Sequence, residues 1–182
     1  MSPLFYGIIA LLVFSSGCLS LGDGNGVAIS LREERHKVME DGLVAPLTMA
    51  QQNAYSETLL SFRKTIRENG GSDQPALNDY VDASLALVNM TQALHNGNEA
   101  LVNAADAGFA CGTGTYMHRA REHFESAKTH AQLAQRALES VLSHVTLSNT
   151  LGADFLHDAH STVSGNLSLY ENRIQEIQNA CA

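Results

Sequence analysis

The chain has 182 residues, with 11 Lys and Arg against 19 Asp and Glu, and a net charge of -8 at pH 7. That length suits one domain of ordinary size, and so acidic a chain is a poor partner for nucleic acid. With no Trp and only 6% aromatic residues, the composition also argues against an aromatic cage for sugars or quaternary amines.

Residues 4–14 form an apolar run of eleven. A spanning helix needs about 20 such residues. The run instead fits the apolar core of a secretory signal, and the small residues Ser15, Ser16 and Gly17 follow it, then Cys18. Ser15-Ser16-Gly17-Cys18 resembles the cleavage box of prokaryotic lipoproteins, in which the cysteine is lipidated and becomes the new N-terminus. The match spans about five residues. Ser15 stands where that family prefers Leu, and no Lys or Arg precedes Arg32. An uncleaved N-terminal anchor and a plain cleaved signal are the other two readings. All three place the rest of the chain outside the cytoplasm, at a cell surface or in a periplasm-like space. After Cys18, glycines 22, 24 and 26 alternate with Asp23 and Asn25, a pattern that favours a flexible tether. The organisation read from this is a signal peptide or anchor over 1–17, a Gly-rich tether over 18–30 and a helical domain over 31–182.

Beyond the tether the periodicity is helical. A short helix is predicted over 33–40. Pro46 suits a first helical turn and Asn69-Gly70-Gly71 a termination, giving a helix over 46–69. Asp73 and Pro75 start a second long helix over 75–107. Its apolar stripe is Leu77, Tyr80, Val81, Leu87, Val88, Leu94, Leu101, Val102 and Ala105. Thr113 or Thr115 caps a third helix that runs to about Asn149. Its stripe is Met117, Ala120, Phe124, Ala127, Ala131, Ala134, Leu138, Val141 and Val145. Gly152 punctuates. The fourth helix runs to about Ala180, with a stripe of Phe155, Leu156, Ala159, Val163, Leu167, Tyr170, Ile174 and Ile177. Helices roughly 45–55 Å long, joined by short loops, must lie antiparallel. The predicted fold is therefore all-α, an up-down antiparallel four-helix bundle with long helices. Polar residues at Ser84, Thr91, Asn98 and Asn166 fall on or near the stripes and imply a thin core with some register specificity. The third helix carries Arg119, Arg121, Lys128 and Arg136. Between two acidic neighbours these bases either gain screened attraction at the seams or simply solvate the outer faces.

Three cysteines are present. With Cys18 lipidated, Cys111 and Cys181 are the right number for one disulfide in an oxidising space. Antiparallel neighbours bring the start of the third helix beside the end of the fourth. The third outruns the fourth by about six residues, or roughly 9 Å at helical rise, so the loop at Gly112-Thr113-Gly114 has to fold back to close the bridge. Two N-glycosylation sequons occur, at Asn89 and Asn166.

Eight histidines are the feature most suggestive of a site. His123, His130 and His144 recur at multiples of seven on the third helix, with His118 one turn before His123. Their phase makes His123 and His130 boundary residues, and the acidic second helix beside them is expected to raise their pKa. The competing reading is a metal site, built from His95 with a third-helix histidine, or from His144, His157 and His160 with Asp154 and Asp158 about the 149–152 turn. Helical phase turns His157 and Asp154 away from the core. No haem-attachment, zinc-protease or nucleophile-elbow motif occurs, and Gly112-Thr113-Gly114 follows no strand that would make it a phosphate cradle. The expected protein is not an enzyme. It is a membrane-anchored extracytoplasmic interaction or structural module without a cofactor, whose partners are the membrane and another surface or membrane protein. A metal- or cofactor-binding bundle and the ligand-binding subunit of a sensor are the alternatives.

Overall fold

The computed structural model describes residues 24–38 and 48–182. The predicted signal or anchor segment, Cys18 and Pro46 lie outside them. The described residues form six α-helices and one 3-10 turn packed against one another, with no strand among them.

The first helix, α1 (Asn25–Val38), overturns part of the tether reading. Residues 25–30 are its first turns, and Val27, Ala28 and Leu31 are buried. Spacings of three and four put these side chains on one face. Contact with the rest of the molecule, not local composition, decides the helix. Gly24 sits hard against the next corner of the chain, where an added Cβ would lie 2.9 Å from the Gly70 carbonyl. Of the predicted 33–40 helix, residues 33–38 are the second half of α1, and residues 39 and 40 lie outside the described residues.

The second helix, α2 (Met49–Asn69), opens on a reciprocal cap. The Gln51 N–H donates to Thr48 Oγ1 at 3.3 Å and the Thr48 N–H donates to Gln51 Oε1 at 3.0 Å, so two otherwise orphaned donors are satisfied. A 3-10 turn over Gly71–Asp73 leads into α3 (Gln74–Asp106), with Pro75 in its first turn. The far end of α3 closes with Gly108 N–H on the Ala105 carbonyl and Phe109 N–H on the Ala104 carbonyl, the paired bonds of a Schellman ending.

Thr115 caps α4 (Tyr116–Ser143), accepting from the His118 N–H. The third predicted helix does not continue to Asn149. It breaks at His144 (φ -96°, ψ 79°), and a seven-residue α5 (Val145–Leu151) follows. The break changes the buried face. Leu147, Ser148 and Leu151 are buried, while Val145, expected on the stripe, is 69% exposed. Helix α5 can then pack on α1. Gly152, at φ +101°, reverses the chain into α6 (Ala153–Ala180).

The most extensive packing is α3 on α4, then α4 on α6 and α2 on α3. Small side chains make the first contact possible. Ala120, Ala127, Ala131 and Ala134 of α4 are fully buried, and the Phe124 ring lies where an added Gly97 Cβ would come within 3.2 Å. Ser84 is buried as expected, but Asn98 is exposed, as are Val102 at 64% and Ala105. Ion pairs cross two seams, Lys128–Glu171 at 2.8 Å joining α4 to α6 and Arg63–Asp82 joining α2 to α3, and His160 Nε2 lies 3.1 Å from Glu139 Oε1 across the α4–α6 seam.

Candidate functional site

A charged side chain lies in the core where a leucine would be expected. Arg35 is 3% exposed and continues the α1 face of Ala28 and Leu31 at spacings of three and four. An arginine stays protonated in a protein, so burial without compensation is costly. Three contacts offset that cost. Its Nη1 donates to the Leu151 carbonyl at 2.8 Å, which satisfies an orphan acceptor at the negative end of α5. Its guanidinium lies 3.9 Å from the centroid of the Phe155 ring on α6, a cation–π contact strengthened by desolvation. Its Nη2 lies 3.3 Å from His36 Nε2. No carboxylate pairs with Arg35 among the described residues. Gly152 is required here twice over: its φ is left-handed, and an added Cβ would lie 3.1 Å from Arg35 Nη2.

Two phenols complete the cluster. Tyr55 on α2 is 3% exposed and Tyr80 on α3 is 1% exposed. Burial pushes both pKa values up, at Tyr55 aided by the neighbouring Tyr80; Arg35 and Ser84 pull the other way. Both phenols therefore stay neutral at any physiological pH. The cluster fastens α1, α2, α3, α5 and α6 at one end of the molecule. Arg35 and Tyr55 were not among the sequence candidates, although the spacing Ala28–Leu31–Arg35 carries the signal for the arginine.

The opposite end holds the cysteines. Cys111 and Cys181 are joined, with sulfurs 2.06 Å apart and Cα atoms 5.5 Å apart. Because α4 and α6 each have 28 residues, their ends are level. The expected overhang of the third helix is absent because its last residues form α5 instead.

The histidines are spread out. His95, His144 and His157 are exposed, on α3, at the α4–α5 break and on α6. His123 and His130 are half-buried on α4, and His160 faces Glu139. Among the described residues no group of three His, Cys, Asp or Glu side chains is placed to hold a metal ion. Of the sequon residues, Asn89 is exposed on α3, whereas Asn166 is half-buried beside the Tyr170 hydroxyl. No known family, curated protein or solved structure matches the chain.

His130 reverses one expectation. It lines a cleft between α3 and α4 with Asp79, Asp82, Arg136 and Ser140. Asp79 already accepts from the Ser140 hydroxyl at 2.6 Å and Asp82 is paired with Arg63. Desolvation therefore dominates and pushes the His130 pKa below 6.5, not above it. A base with a depressed folded pKa binds protons more weakly folded than unfolded. Its contribution to stability is complete above pH 6.5 and is lost as pH falls below that value. As pH is lowered from 7 to 5, melting temperatures should decline less in His130→Gln than in the parent; an equal decline contradicts this reading.

Proposed function

We propose that the protein is a non-enzymatic, membrane-anchored extracytoplasmic module, an antiparallel up-down four-helix bundle of α2, α3, α4 and α6 that presents a surface for interaction or structural support. The observation that carries the reading is the Cys111–Cys181 bridge. A disulfide suits an oxidising compartment. It also uses two of the three cysteines and leaves Cys18, which follows the apolar run and Ser15-Ser16-Gly17, for a separate fate.

Topology gives the proposal a direction. Asn25, the first residue of α1, lies at Thr150 of α5, with the Thr150 hydroxyl 3.3 Å from Asn25 Oδ1. The disulfide joins the far ends of α4 and α6, and 28 residues at helical rise place it about 42 Å away. An anchor at Cys18 would leave the disulfide end pointing outward. No helix among the described residues is long and apolar enough to cross a membrane, so anchoring in this proposal falls to the N-terminal segment.

Intact-mass analysis of protein extracted from its own membranes tests the reading. The expected species begins at Cys18 and carries acyl chains, and Cys18→Ser shifts the protein to the soluble fraction. An unmodified chain that begins at Met1 and stays in the membrane would exclude lipidation and favour the uncleaved anchor.

A further inference from the structure

The disulfide end carries an exposed aromatic side chain on strained backbone. Phe109 has φ +54°, and no other non-glycine among the described residues has a positive φ. Left-handed backbone is unfavourable for a bulky side chain. The Phe109 N–H donates to the Ala104 carbonyl at 2.7 Å and closes α3, and Cys111, two residues on, is bridged to Cys181. The ring is thereby held in place and left 55% exposed. It has apolar company. Val102 and Tyr116 are exposed at the same end, and residues 107–117 carry no charged side chain. The residues that flank Phe109 open into a hollow: Ala107 and Ala110 line it together with Ala104, Tyr116 and Arg119.

Charges stop at the borders of this patch. Asp106 ends α3 and Arg119 stands in the opening turn of α4, both exposed. Neither belongs to an ion pair among the described residues. Arg119 lies over the Tyr116 ring, 5.5 Å from its centroid. The neighbouring Arg121 is already paired with Glu125, and His118 lies 3.3 Å from Glu122. One patch therefore presents a knob, a hollow, one free acid and one free base. A two-fold contact needs that combination, because each feature then meets its complement on an identical surface. An anionic lipid surface would fit a border of bases alone and would repel Asp106. The hollow measures about 280 Å³, below the roughly 300–1,000 Å³ of small-molecule sites, and has room for one side chain. We propose that a second copy of this chain docks here, Phe109 of each copy entering the hollow of the other and Asp106 of each facing the partner's Arg119. The inference rests on the reading of the disulfide end as the outward, interacting end, and needs no lipid at Cys18.

The test is sedimentation of the full chain in detergent over a concentration series, which should show a monomer–dimer equilibrium. Asp106→Arg or Arg119→Asp alone sets like charges against each other in both pairs, and each should abolish the dimer. An equimolar mixture of these two variants restores both pairs and should recover it. Phe109→Gly removes the knob at a position whose backbone glycine adopts without strain. That variant should keep its melting temperature and be monomeric. In native membranes, a photoreactive benzoylphenylalanine in place of Phe109 should crosslink to the hollow of a second copy. A parent that is monomeric at every concentration overturns the proposal. So does a dimer that survives Phe109→Gly, or a mixture of the two charge variants that stays monomeric. A crosslink to lipid or to a different protein also overturns it, by giving the patch another occupant. The mass of the N-terminus is read independently, so an unlipidated Cys18 in a chain that still dimerises rejects the lipid anchor alone.

Discussion

Replacing Cys111 and Cys181 together by serine should lower the unfolding free energy by about 4 kcal/mol, the chain-entropy value for a loop of this size. The bridge closes a separation of 70 residues that includes all of α4, α5 and α6. In the unfolded state it removes the wide separations the two ends could otherwise explore. In the folded state it ties the last turn of α6 to an exposed loop, so its loss leaves no cavity. The effect therefore lies in the unfolded ensemble, and urea denaturation should show it in two ways. The midpoint falls, and the slope of free energy against urea steepens because the freed chain exposes more surface. A change below about 1 kcal/mol with an unaltered slope would contradict the entropic account.

Phe124→Ala should cost about 3–5 kcal/mol, the range for emptying a large aromatic site in a core. Phe124 is 1% exposed and sits among the alanines through which α4 approaches α3. Those alanines bring the helices too close for either to move inward and refill the space. Gly97 is its complement, since an added Cβ would lie 3.2 Å from the Phe124 Cζ and 3.3 Å from Cε2. The pair should be coupled. In the parent, Gly97→Ala gains helix propensity and loses it again to the crowded ring. In the Phe124→Ala background the crowding is gone, and the same change should gain up to about 1 kcal/mol. Equal effects of Gly97→Ala in the two backgrounds would show that the ring does not set the glycine.

Much of the long-helix framework is legible without coordinates. From Met117 to Val141 every predicted stripe position of α4 is buried, because a 3.6-residue period needs only the local order of apolar side chains. Pro75 and Thr115 mark helix starts by local rules of the same kind. The cysteine pair is legible in the cysteine count together with the antiparallel order of the last two long helices. Three features were decided only by tertiary structure. Residues 25–30 look like linker because their glycine and asparagine disfavour a helix, and they become helical because Val27, Ala28 and Leu31 find a surface to cover. The break at His144 has no proline or glycine to announce it; it allows Leu147 and Leu151, out of phase with the α4 stripe, to be buried. The core around Arg35 depends on residues far apart in the chain. Its spacing is written in α1, but an arginine on an apolar face is tolerable only when acceptors surround it. Those acceptors, the Leu151 carbonyl 116 residues away and the Phe155 ring, are supplied by packing, because a buried charge is stabilised by what folding brings to it and not by its neighbours in sequence.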